Sequence, residues 1–217
     1  NYTGENIQGR LPGLVEEGKT WIVDAHYDSV SDSPGADDNA SGTAGFLEIS
    51  RILSQYHFRE SVKAIGFDSE EDGLVGSINY VLAGIPEAED IQGVLNLEMI
   101  GYYRDEPNTQ SLPFGFDILF PAIADSVAAD DNRGNFIANI GNENSAHLIE
   151  LFNNSAQSYV PELRALWLAT PGNGQIAPDL RRSDHAPFWD AGYQALMLTN
   201  TSEFRNDNYH EPSDLVS

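Results

Sequence analysis

Five short apolar runs rich in β-branched and aromatic residues, each followed by helical or turn-forming sequence, restrict this chain to few folds. They cover residues 20–25, 62–67, 93–99, 135–140 and 194–199, and each reads as a buried strand. Between them, residues 41–56 place Phe46, Ile49, Ile52 and Leu53 on one helical face, and residues 74–82 and 145–159 have the same periodicity. Strands alternating with amphipathic helices predict an α/β protein: a three-layer α/β/α sandwich whose mixed central sheet is parallel in its core. A chain of 217 residues suits one such domain rather than two. There is no internal repeat, and Gly and Pro are scattered as turn punctuation rather than gathered into a linker. The expectation is one domain over residues 1–217, with the abrupt ends compatible with processing from a longer chain.

Eleven basic residues against 34 acidic ones give a formal charge of −23. Such a field repels nucleic acid and anionic lipid. No stretch approaches the roughly 20 apolar residues of a membrane span, so neither nucleic-acid binding nor membrane insertion is expected. The chain has no Cys, which removes disulfides, thiolate metal sites and cysteine nucleophiles. Any metal would have to be held by His and carboxylate.

In open α/β sheets ligands bind beyond the carboxyl ends of the strands, so the polar residues that come after each strand matter most. His26 and Asp28 follow the first, Asp68, Glu70 and Glu71 the second, and Glu98 ends the third. Taken singly these are ordinary. His26 and Asp28 suit a surface turn, Glu70 and Glu71 a solvated pair, and Asp37 and Asp38 a cap for the helix that starts near Ser41. Brought to one crevice with no basic residue in the same segments, the carboxylates repel one another, and a multivalent cation is the economical compensation. Imidazole with carboxylate suits zinc or a similar first-row ion, whereas calcium favours all-oxygen loops of a kind absent here.

Six ordered blocks carry a resemblance: AHYDS at 25–29, PGADDNASG at 34–42, FDSEEDGLVGS at 67–77, NLEMIGY at 96–102, RRSDHAPFWDAGYQAL at 181–196 and FRNDNYHEPSD at 204–214. Together they resemble the zinc aminopeptidases that include bacterial leucyl aminopeptidase, with glutamate carboxypeptidase and the glutaminyl cyclases as relatives. The resemblance implies two zinc ions, or other first-row divalent ions, bound by His26, Asp38, Glu71, Glu98 and His210, with Asp38 bridging. It implies that Asp28 orients His26, that Glu70 is the general base on the attacking water, and that the Asp38–Asn39 peptide is cis. Which ion takes which ligand stays open. Glu98 departs from the best-known members, which carry Asp there.

The implied activity is removal of N-terminal residues from peptides, in a secreted or periplasmic setting with any signal peptide absent from this chain. Met99, Ile100 and Phe188 are expected to wall an apolar pocket, and His185 and Tyr209 to line the substrate site. His57 and His147 fall in helical patterns and read as structural or exposed. Carboxypeptidase action, which would need Arg181, Arg182 or Arg205 aimed at a terminal carboxylate, glutaminyl cyclisation, and a catalytically silent metal-binding domain are the rival readings.

Overall fold

The computed structural model describes residues 3–216. Seven strands form one sheet: β1 (Ile7–Leu11), β2 (Glu16–His26), β3 (Glu60–Phe67), β4 (Asp90–Glu98), β5 (Ile137–Asn142), β6 (Ala165–Thr170) and β7 (Ala195–Thr199). Their spatial order is β1-β3-β2-β4-β7-β5-β6. The inner four, β3, β2, β4 and β7, run parallel, while β1 lies antiparallel to β3 and β5 antiparallel to β7. The sheet is therefore mixed around a parallel core, as the sequence pattern predicts.

Alternation along the strands assigns the two faces. Val23 and Ala25 of β2 point to one side, where Phe46 of α1 (Gly42–Leu53) packs with Leu97 and Leu198. Leu148 and Ile149 of α5 (Ala146–Tyr159) join Leu196 on the same side. Ile22, Ile65, Phe67, Val94 and Met197 belong to the opposite cluster with Phe188 and Trp189 of α6 (His185–Asp190). That cluster also takes in Tyr80, beyond α2 (Val75–Asn79), Phe116 of α3 (Phe116–Leu119) and Val127 of α4 (Pro121–Ala128). Helices thus cover both faces of the sheet.

Two strands and three short helices escape the sequence pattern. β1 is a five-residue edge strand containing Gly9, and β6 alternates only weakly. Pro187 of α6 lies in the first helical turn, where an N–H has no intrahelical partner to lose. His147 lies on α5 and is exposed; His57, expected within a helix, falls instead in the loop after α1.

The parallel centre of the fold sets the position of the site. His26 pairs in register with Phe67, and Glu98 with Thr199, so the carboxyl ends of β2, β3, β4 and β7 lie along one edge. A π-helical turn, Ala36–Ser41, enters α1 at that edge, and its Asp38–Asn39 peptide is cis. Gly42 lets this turn approach β4 closely: a Cβ there would fall 2.4 Å from the carbonyl oxygen of Leu97.

Candidate metal centre

His26 reaches the sheet edge as the last residue of β2. Its Nδ1 donates to the carbonyl oxygen of Asp28 at 3.1 Å, with the Asp28 carboxylate at 3.5 Å. This leaves Nε2 facing two carboxylates, Asp38 Oδ1 at 3.3 Å and Glu98 Oε2 at 3.2 Å. The second oxygen of Asp38 turns the other way. It lies 3.1 Å from Nε2 of His210, which also stands 3.1 Å from Glu71 Oε2. The result is two imidazole–carboxylate pairs, His26 with Glu98 and His210 with Glu71, with Asp38 offering one oxygen to each. The pairing that the sequence leaves open is thereby visible. Glu70 stands beside the first pair, with a carboxylate oxygen within 4.8 Å of donor atoms of His26 and Glu98.

Backbone hydrogen bonds hold these carboxylates in place. The two oxygens of Asp28 accept the amides of Glu70 and Glu71, each at 3.1 Å, fastening the loop after β3 to the end of β2. Asp28 therefore positions Glu70 and Glu71 as well as His26. Asp214, buried in the last block, accepts the amides of Asp37 and Asp38. Asn39 donates to the carbonyl of Leu97 and accepts the amide of Met99, tying the π turn to the end of β4. Asp37 accepts from Gly101, Asn200 and Asn206, joining three chain segments behind Asp38. Ser183 donates to Glu98 Oε2 at 2.6 Å. The sequence reading passes over Asp37, Asn39, Ser183 and Asp214 as supports, although all four lie inside the six blocks.

The electrostatics are one-sided. Burial pushes Glu70 well above the usual carboxylate range; Glu98, Asp184 and Glu71 push it further, against the opposing pull of His26. Burial likewise raises Glu71, to about 8, with Asp38 adding to it. Asp184 is fully buried, and this raises its pKa as well. For His26, burial disfavours the charged ring, but Glu98, Asp28 and Asp38 outweigh it and hold the imidazole well above its ordinary value. For Asp28, burial is outweighed by His26 and the two amides, so its pKa falls.

These groups fit a divalent cation. Among the described residues, the ion pairs of Asp38, Glu71 and Glu98 are all with histidines, and Glu71 Oε1 is buried without any hydrogen-bond partner. Carboxylates so compressed either take up protons or are neutralised by a cation, and a divalent ion would relieve all of them at once. Mixed imidazole and carboxylate donors without thiolate match zinc.

An apolar cleft opens beside the cluster, bounded by Asp38, Glu70, Glu71 and Glu98 at one end. Its interior is formed by Phe136, Ala138 and Ile140 of the β5 region, Leu166 and Leu168 of β6, and Met197 of β7. Of the side chains expected to face substrate, Tyr209 lines this cleft. The others stand elsewhere. Met99 follows Glu98 and is completely buried beneath the turn. Ile100 packs against the α1 side of the sheet. Phe188 is buried in the core against Phe67 and Tyr80. His185 is buried against Trp189 with Nε2 bonded to the carbonyl of Leu180, and burial lowers its pKa to about 4. None of these four lines the cleft.

Six carboxylate or imidazole side chains gathered at the carboxyl edge of the parallel strands, beside an apolar cleft, make a candidate divalent-cation site on an α/β fold. Residues 6–217 match Peptidase family M28, and the chain belongs to that family. It is 32% identical over 209 residues to the uncharacterized protein YfbL of Escherichia coli K12, covering 91% of this chain and 60% of that one. Among solved structures it resembles BSAP, a zinc aminopeptidase from Bacillus subtilis, with a TM-score of 0.69 and 26% identity over 96% of this chain and 44% of that one. The LapA aminopeptidase of Legionella pneumophila shares the fold at a TM-score of 0.70 and 19% identity, over 97% and 48% of the two chains. The chain thus spans about half the length of the solved relatives it matches, and 60% of YfbL.

Proposed function

We propose that this chain forms the catalytic part of a two-zinc exopeptidase that removes N-terminal residues, preferentially apolar ones, from peptides. The observation that carries the reading is the bridging geometry of Asp38, one oxygen toward His26 and Glu98 and the other toward His210 and Glu71. One ion would take His26, Glu98 and Asp38; the other would take His210, Glu71 and Asp38. Bound zinc supplies Lewis acidity, polarising a carbonyl and acidifying water near neutral pH.

The remaining work belongs to this chain's own groups. Glu70 accepts the proton of the attacking water and returns it to the departing amine, acting as base and then acid. Asp28 holds the amide of Glu70 and the ring of His26, so base and ligand keep a fixed relation. The cleft of Phe136, Ala138, Ile140, Leu166, Leu168 and Met197 seats an apolar side chain and excludes water around it.

An aminopeptidase is favoured over a carboxypeptidase by the charge of the cleft. Asp38, Glu70, Glu71 and Glu98 line it, suited to an ammonium group, and Arg182 is also among its walls. Arg205 is buried and occupied by Gln110 and the carbonyl of Phe136, Arg181 is paired with Asp190, and Arg182 is engaged by Glu203 and Tyr209. The test is a leucyl peptide compared with its N-acetylated and C-amidated forms, run beside elemental analysis of the zinc-loaded protein. Acetylation is expected to abolish cleavage, amidation to leave it unchanged, and the metal content to be two per chain. Cleavage that survives acetylation but not amidation transfers the activity to a carboxypeptidase, and one ion per chain removes the two-zinc reading.

A further inference from the structure

The two imidazoles of the centre are held by different means. His26 is 1% exposed at its side chain, and its Nδ1 donates to the Asp28 carbonyl, so the ring is fixed by burial and by a hydrogen bond. His210 is 36% exposed, sits at a backbone φ of 61°, and makes no hydrogen bond through Nδ1 to any described residue. A metal-binding histidine ordinarily has its second nitrogen anchored, and loss of that anchor weakens the site. Water can take that N–H, so what the protein itself adds is contact with the face of the ring.

The ring of Tyr209 stacks on that of His210, with centroids 3.7 Å apart and planes inclined by 22°. Tyr209 is in turn held from its far side. Arg182 Nη2 donates to the Tyr209 hydroxyl at 2.9 Å, and the guanidinium carbon lies 5.5 Å from the ring centroid. Arg182 is itself clamped, since Nη1 donates to Glu203 and Asp179 Oδ1 stands 3.7 Å away. The clamp links three separate segments: Asp179 and Arg182 come before α6, Glu203 follows β7, and Tyr209 and His210 belong to the last block.

We infer that Arg182 is a positioning residue for the exposed half of the metal centre, acting through Tyr209 to hold the ring of His210 in line with Asp38 and Glu71. This rests on the two-ion reading above. The stacked phenol and its guanidinium bear on the face of this ring, where His26 is held at its edge by the Asp28 carbonyl. Planarity matters in this role. A guanidinium can bond Glu203 and the phenol oxygen at once through different nitrogens, whereas a lysine ammonium is a point charge on a flexible stem.

The experiment is a competitive zinc titration of the metal-free protein against a chromophoric chelator, resolving the two stepwise dissociation constants. It compares wild type, Arg182→Ala, Arg182→Lys and Tyr209→Leu, with thermal unfolding of each metal-free protein alongside. Arg182→Ala and Tyr209→Leu are expected to weaken one of the two sites on the order of 10- to 100-fold, the usual cost of losing an outer-shell partner, and to leave the other within about twofold. Arg182→Lys should fall between wild type and Arg182→Ala. Tm of the metal-free forms should not follow this order, because the effect is on ring placement.

Wild type binding two ions with both constants unmoved in Arg182→Ala overturns the inference and leaves the two-ion reading intact. Equal weakening of both sites also overturns it, since that signals general loosening. Wild type binding one ion removes the two-ion reading itself.

Discussion

Replacement of Glu70 by Gln tests the division of labour between two neighbouring carboxylates. The substitution preserves side-chain shape, and the backbone amide that Asp28 accepts at 3.1 Å is untouched, so the loop after β3 keeps its place. What disappears is one negative charge and the ability to take a proton. A positioned general base is worth roughly 10² to 10⁴ in rate, so kcat should fall by at least about 100-fold, or about 3 kcal/mol in barrier. Zinc should remain, since both imidazole–carboxylate pairs and Asp38 survive without Glu70.

The contrast is Glu71→Gln. That side chain stands 3.1 Å from His210 through one oxygen and buries the other without a partner, so neutralising it should release the ion on that side. The assay is hydrolysis of a leucyl anilide at saturating substrate, with zinc measured on the same dialysed samples. The outcome that would refute the assignment is Glu70→Gln shedding zinc. Glu70 lies within 4.8 Å of donor atoms of His26 and Glu98, so it is near enough to be a ligand, and such a loss would make it one. Near wild-type kcat in Glu70→Gln would be as damaging.

Two further outcomes concern the cleft and the core. Ala138 lines the cleft, so Ala138→Phe should fill the space that seats a large side chain; the ratio of kcat/KM for leucyl over alanyl anilide should fall about tenfold or more, and an unchanged ratio would place the first residue of the substrate elsewhere. His185 is held neutral by burial with its pKa lowered to about 4 from 6.5, so the unfolded chain binds the extra proton first as the pH drops. Its contribution is fully present above about pH 6.5 and is lost progressively toward pH 4, a total of roughly 3 kcal/mol. Urea unfolding of metal-free wild type and His185→Gln across that range should show wild type losing stability faster on acidification, and parallel profiles would contradict this.

The chemistry-bearing residues were legible because parallel strands deliver them to one edge in a way that sequence pattern exposes. His26, Glu70, Glu71 and Glu98 each end or directly follow an apolar run, and a parallel sheet places the carboxyl ends of such runs together. The pairing of ligands was not legible, since it depends on how Asp38 turns its two oxygens, and that is fixed by Asp214 from the far end of the chain and by the turn around Asn39. The cleft wall was misplaced for a simpler reason. Sequence neighbours of a ligand were expected to share its pocket, but successive residues at a strand end point to opposite sides, so Glu98 faces the metal centre while Met99 is buried away from the cleft. Phe188 lies on α6 and packs on Phe67 in the core. The walls of the cleft come largely from β5, β6 and β7, whose apolar residues carry no local sign of which face opens to a cleft. Only the antiparallel pairing of β5 to β7, with β6 beside it, brings Ala138, Leu168 and Met197 around one space. The candidate polar cluster was therefore readable from the residues at the carboxyl ends of the strands, whereas the cleft is lined by side chains indistinguishable from core until the sheet order is known.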